Sequence, residues 1–299
     1  MSLLRKLATA YVLVLLTGIS VAQSFAQTPS LRIAVLDFGK TATGRAAVEA
    51  ISRQISNNAN VVSVDPDQAR AAAAGISYAG SLNLSLAEAR DLGAAIGCDF
   101  FFAGEADTVR RSPSSGPAYF DSYASVFIVS TRTGRLILWE RSVGRRPTAH
   151  DAEKELIQEL TAAQTVNRYA AAMFRAVEDE RAERAHAVEQ GTPVIEAMSD
   201  ETYEVDNGTR PPRPFRRLKP AYPEAAAQAQ VEAVVDALVD VDGKGEVGRV
   251  EIARWAGYGL DESVLATVKQ LHFFPAMRNG RAIPMRVLLR YNFRKPTPP

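Results

Sequence analysis

Val231-Glu232-Ala233-Val234-Val235-Asp236-Ala237-Leu238-Val239-Asp240-Val241, then Asp242-Gly243-Lys244-Gly245-Glu246, then a second run from Val247 to Trp255, is the stretch that decides how this chain ends. Two β-prone runs joined by a Gly-containing turn specify a β-hairpin. Upstream, Tyr222-Pro223-Glu224-Ala225-Ala226 places a proline at the opening of a short helix. Downstream, Leu260-Asp261-Glu262 starts a second helix with Val264, Leu265, Val268 and Leu271 at helical spacing. Phe273-Phe274-Pro275-Ala276 stops it, Asn279-Gly280 turns the chain, and Met285 to Phe293 reads as a closing strand. The expected product is a small α+β module of helix, β-hairpin, helix and strand, residues 211–299. Asp240, Asp242, Gly245 and Glu251 also sit at the spacing of a calcium loop. Lys244 at a ligand position and strand-like flanks favour a plain hairpin turn.

These pieces, taken in order, resemble the C-terminal domain of the TonB family, the energy transducers of the Gram-negative envelope. The residues that carry the resemblance are Tyr222-Pro223 with Glu224-Ala225-Ala226, Val239-Asp240 with Asp242-Gly243, and Gly259-Leu260-Asp261-Glu262. Phe273 with Pro275-Ala276, then Gly280, Pro284 and Tyr291-Asn292-Phe293 complete it. The resemblance implies docking of a peptide from an outer-membrane transporter.

Working outward, Leu31 to Phe38 is a continuous apolar strand, Ala46 to Ile55 is helical in pattern, and Val61 to Val64 is a second short strand. Asp65-Pro66 opens another helix, and Ser85 with Glu88 forms a capping box before a further one that stops at Gly97. Cys98 to Ala103 reads as a buried strand. Tyr119 to Ser130 and Leu136 to Val143 alternate on either side of a Thr133-Gly134 turn. A βαβ-type start followed by a meander predicts a mixed-sheet α/β domain over 31–147. Ile33-Ala34-Val35-Leu36-Asp37-Phe38, Leu92-Gly93 with Ile96-Gly97-Cys98-Asp99, Gly104, and Thr133-Gly134 with Trp139 resemble the CsgG and TolB N-terminal type of periplasmic domain. That resemblance implies an envelope location and a binding or assembly role.

Between the two parts, Thr148 caps a long helix expected over 148–190, with Leu156, Leu160, Tyr169, Met173 and Val177 as its apolar stripe. An acidic linker over 191–210 follows, and Pro211 to Lys219 is basic and proline-rich. The fold class expected for the whole is therefore α+β / α/β.

At the start, Arg5 and Lys6 precede an apolar stretch, Leu7 to Ala22, and then Ser24-Phe25-Ala26. This is the pattern of a secretory signal peptide over 1–26, and the run falls short of the ~20 residues a spanning helix needs. An uncleaved anchor is the alternative. It matters because contact with an ExbB/ExbD-like motor requires an anchored N-terminus. The location expected is the periplasm, or the inner membrane facing it.

The net charge of +1 gives no general attraction to nucleic acid, and the single cysteine, Cys98, excludes an intramolecular disulfide. No Walker loop, Gly-x-Ser-x-Gly elbow or His-Glu-x-x-His stands in the chain, and His150, His186 and His272 are far apart. No catalytic residue, metal or cofactor is expected, and the chain is not read as an enzyme. The functional candidate is the closing strand: Arg286, Val287, Leu288, Leu289, Arg290, Tyr291, Asn292 and Phe293. At a sheet edge these residues accept a partner strand, or a second copy of the chain as a homodimer. Arg213, Arg216, Arg217 and Lys219 are candidates for contact with lipid headgroups or a partner. The competing role is an envelope assembly or secretion adaptor worked by the N-terminal domain. N-terminal sequencing of the exported protein is expected to read from about Gln27; a start at Met1 would instead favour the anchored form.

Overall fold

The computed structural model describes residues 30–57, 61–190, 197–198 and 209–295; the segment read as a signal peptide and most of the acidic linker lie outside them. The N-terminal part is built on a five-stranded sheet in the order β2-β1-β3-β4-β5. Leu31–Val35 (β1) pairs in parallel with Val61–Ser63 (β2) and with Phe100–Arg111 (β3). Tyr119–Ser130 (β4) and Leu136–Arg146 (β5) continue as an antiparallel meander, β3 and β4 matching residue for residue along their full length. Gly134, at φ +73, makes the β4–β5 turn. A Cβ there would lie 2.1 Å from the Leu86 carbonyl oxygen, so the position admits only glycine.

The helices form where their caps place them. Thr41 accepts from Gly44 N ahead of Ala42–Ser56 (α1), and Asp65 caps Pro66–Gly75 (α2) with Pro66 in the first turn. The Ser85/Glu88 capping box starts Leu86–Ile96 (α3), and Gly97 ends it in the left-handed region. Thr148 caps Ala149–Thr161 (α4), and Ala163–Gln190 (α5) follows. The region read as one long helix is thus helical but broken once, at Ala162, whose backbone is extended. The break leaves Leu156 and Leu160 on one side, and Tyr169 and Met173 on the other, in the same apolar cluster.

Alternation along the buried strands sends successive side chains to opposite faces of the sheet. Ile33, Val35, Phe100, Phe102, Val126 and Ile128 pack against α1, α4 and α5. Ala34, Phe101, Ala103, Phe127 and Val129 face the other way, toward Ala69 and Ala73 of α2 and Ala89, Leu92 and Ile96 of α3. Cys98 is buried in this second cluster, and burial pushes its thiol up to about 11, so it stays protonated.

The C-terminal part has the expected order. Glu224–Ala229 (α6) leads to the hairpin of Ala233–Val241 (β9) and Val247–Arg254 (β10), then Leu260–Val268 (α7) and Met285–Phe293 (β14). At the hairpin turn, Asp242 Oδ1 accepts from Lys244 N (2.8 Å) and Glu246 N (2.9 Å), so its carboxylate closes the turn on its own backbone. Val235, Ala237, Val239 and Val241 are buried with Ala226, Leu260, Val264, Val268 and Phe273.

That cluster does not stop at the module. It is continuous with the α2/α3 face of the N-terminal sheet through the loop Trp255-Ala256-Gly257-Tyr258. Trp255, 1% exposed, stacks on Phe127 at 5.9 Å and donates its indole Nε1–H to Gly134 O at 3.0 Å. Tyr258 packs edge-on to Phe127 and donates to Glu105 Oε1 at 2.8 Å. Gly257 stands where a Cβ would meet the Phe127 ring at 2.6 Å. The side chain of Asn83 receives Val234 N and donates to the Val234 and Trp255 carbonyls, acting as a rung for β9. The boundary read near residue 210 therefore divides the sequence but not the packing.

Asp261 stabilises this loop from the first turn of α7 by accepting from Ala256 N and Gly257 N, both at 2.9 Å. Burial, the larger effect, pushes its carboxyl up to about 6, against those two donors, which pull it down. Its pKa is thus higher folded than unfolded. The resulting stabilisation is full below about pH 4 and is lost as pH rises through about 6. Urea titrations of the parent and Asp261→Asn should show the parent losing roughly 2–3 kcal/mol relative to the variant between pH 4 and pH 7.

Candidate functional site

Met285–Phe293 is long enough to run the full length of β9, and all nine residues pair with it in antiparallel register, from Met285↔Val241 to Phe293↔Ala233. Val287, Leu289, Tyr291 and Phe293 turn to the apolar cluster, and burial raises the Tyr291 hydroxyl pKa above its ordinary value. On the opposite face, two bidentate ion pairs tie the strands together. Arg286 meets Asp240 at 2.5 and 2.8 Å, and Arg290 meets Asp236 at 2.8 and 3.1 Å. Asp240 holds the Arg286 guanidinium above its ordinary pKa. Asp236 is shared, since Arg254 of β10 approaches it at 3.6 Å.

The sheet order is β10-β9-β14-β6, where β6 is Ala197–Met198. The two margins of this sheet differ. The β10 margin abuts the N-terminal part: Ser85 bridges to Arg254, Trp255 N donates to Leu84 O at 3.1 Å, and Arg135 pairs with Glu251 at 2.9 Å. A cleft of about 410 Å3 remains there, lined by Leu136, Trp139, Val250 and Asp261 among others. The β14 margin lies on the opposite side of the sheet. There, among the described residues, β6 pairs in parallel with Arg286 and Val287.

The closing strand accepts a partner only where it lies at a sheet edge, and at Arg286 and Val287 another strand already occupies that side. The chain's own Ala197 and Met198 lie outside it. The signal available was a short apolar group, Val194, Ile195, Ala197 and Met198, inside a stretch read only as acidic linker.

Arg213, Arg216, Arg217 and Lys219 are all exposed. Their segment is not a loose extension of the linker. Thr209–Arg210 (β7) pairs with Ala276–Arg278 (β12), and Arg213–Pro214 (β8) pairs with Phe273–Phe274 (β11). Arg281–Ile283 (β13) completes a small sheet in the order β13-β12-β7. Of the four cations, Arg213 thus has its backbone fixed next to β11, and Arg216, Arg217 and Lys219 follow it in the chain. Among the described residues, no group of three His, Cys, Asp or Glu is placed to hold a metal, and no helix is long and apolar enough to cross a membrane.

With Asp236 clamping strands on both its sides, Asp236→Ala is expected to lower stability by about 2–3 kcal/mol. That is less than for a fully buried pair, because the Arg290 side chain is about half exposed. Urea denaturation measures the loss, and a double substitution with Arg290→Ala should recover part of it.

Residues 219–294 match the family described as the Gram-negative bacterial TonB protein C-terminal. No curated protein matches the chain. Among solved structures, the chain is similar to the TonB C-terminal domain of Pseudomonas aeruginosa, at 16% identity over 36% of this chain and 99% of that one, with a TM-score of 0.27. It is also similar to the LpoB C-terminal domain of Salmonella enterica, at 13% identity over 39% of this chain and 83% of that one, TM-score 0.29. A third likeness is to lipoprotein GNA1162 of Neisseria meningitidis, at 11% identity over 50% and 99%, TM-score 0.29.

Proposed function

We propose that this chain is a binding protein of the Gram-negative envelope whose C-terminal module takes an extended peptide of an outer-membrane partner beside β14. The observation that carries the reading is the β14 margin. A strand's unpaired amides and carbonyls accept another strand, and Ala197–Met198 already lies in that position at Arg286 and Val287. The match of residues 219–294 to the TonB C-terminal family supports an outer-membrane partner. The other margin supports it by exclusion, since β10 runs into the N-terminal part.

In this reading the protein is exported to the periplasm and needs no catalytic group. Energy transduction through an ExbB/ExbD-like motor applies if the N-terminus stays anchored. The shared core favours a second reading, an assembly or secretion adaptor. Trp255 and Tyr258 make the N-terminal domain one body with the C-terminal module. A partner held at β14 is then held relative to that domain as well.

A photo-crosslinking residue in place of Leu288 in the full chain tests the proposal in cells. Adducts to the periplasmic segment of an outer-membrane protein are expected from Leu288 and not from the exposed helical control Gln228. No adduct from Leu288 in a folded protein, or the same adducts from both positions, would sink it.

A further inference from the structure

Phe215 and Phe274 are the most exposed large apolar side chains among the described residues, at 59% and 60%. Their rings stand 4.3 Å apart between centroids, so they form one apolar knob. The knob is fixed in place. Phe274 pairs with Arg213 and Phe273 with Pro214, Phe215 N donates to His272 O at 2.8 Å, and Phe273 N donates to Gly245 O at 2.8 Å. Phe273, its neighbour in sequence, is 1% exposed and anchors the other side of the ladder in the core.

The segment that carries the knob is rich in charge of one dominant sign. Arg213, Arg216, Arg217 and Lys219 come from its own segment and Lys244 from the hairpin turn packed against it, all exposed. The same hairpin turn carries the carboxylates of Asp242 and Glu246. Asp242 is engaged with two backbone amides of its turn, and Glu246 faces His272 at 3.1 Å. The cations outnumber them in a chain whose formal net charge is only +1.

Its place in the fold also matters. Val247↔Val241 and Met285↔Val241 put the hairpin turn and the knob at one end of the sheet. Arg254↔Asp236 and Trp255 put the N-terminal part at the other. The knob therefore stands at the end of the sheet away from Trp255.

We propose that this tip docks on a membrane surface carrying anionic lipid headgroups. The two phenyl rings enter the boundary between headgroups and acyl chains, and the cations meet the phosphates. A purely apolar partner would leave those cations without a role. A purely phosphate ligand would give no gain from two exposed phenyl rings. An anionic lipid surface accounts for both. The tip lies beside Met285 and Arg286, where β14 begins, so docking would bring the strand-accepting margin close to the membrane.

The experiment uses the full chain carrying Phe274→Trp, with the unsubstituted chain as background for Trp139 and Trp255. Vesicles of phosphatidylcholine with roughly 30% phosphatidylglycerol, with and without brominated acyl chains, are the probe. A blue shift and bromine quenching of the reporter are expected with anionic vesicles and not with pure phosphatidylcholine, and both should weaken in high salt. Arg213→Gln, Arg216→Gln, Arg217→Gln and Lys219→Gln together should weaken the effect at least about tenfold. Because quenching reports depth at residue 274 itself, membrane attachment through the N-terminal segment does not mimic it. Absence of quenching, or equal quenching in neutral vesicles, would overturn the proposal. So would a concentration-dependent blue shift without vesicles, which would assign the knob to a second copy of the chain.

Discussion

The seating of Trp255 on Phe127 is the contact from which the rest of the arrangement follows. Trp255 leaves the end of β10, crosses to the N-terminal sheet and gives its indole proton to Gly134 O. An apolar face left uncovered by α2 and α3 is thereby filled by the C-terminal module rather than by a helix of its own domain. A sheet must bury its apolar faces against something. Burying an aromatic pair of this size contributes several times the energy of any surface ion pair in the joint. The ion pairs Arg135–Glu251 and Arg254–Glu88 frame the contact and fix its orientation.

Docking decides which margin of the C-terminal sheet can serve a partner. Because Trp255 follows directly from β10, the β10 side is drawn against Leu84 and Ser85, and β14 is turned away. The Arg–Asp pairs then fasten β14 to β9, and Asp236 also meets Arg254 of β10. They hold Arg286 and Arg290 on the face opposite the core, which keeps Val287, Leu289, Tyr291 and Phe293 in register with the apolar cluster. A slip of one residue would put the arginines into the core and the apolar set into water. β14 is therefore fixed in register by two opposing penalties.

Much of this was legible from local chemistry. The Ser85/Glu88 box, Pro66 after Asp65, Gly97, Gly134 and the Asp242-Gly243 turn all act where they stand, because each depends on backbone geometry within a few residues. The closing strand and its alternation were legible for the same reason. What escaped was non-local. Nothing near Trp255 in sequence names Phe127, and nothing near Pro214 names Phe273. Ala162 carries no breaker residue; its extended backbone is set by two helices converging on one cluster. Ala197 and Met198 were hidden because a run of that length is too short for periodicity to separate strand from loop.

The docked arrangement also changes how a peptide would be captured. A module on a free tether of about thirty residues would sweep a wide volume and give up that freedom on binding. Here the shared core has already removed it, so a visiting strand orders mainly itself. Among the described residues, the competitor it meets is the chain's own β6, at Arg286 and Val287. A longer strand aligned along β14 can form more rungs than this one does, and each rung is worth about as much as any other. A strand that pairs along all of β14 therefore gains more than the described pairing at Arg286 and Val287 supplies.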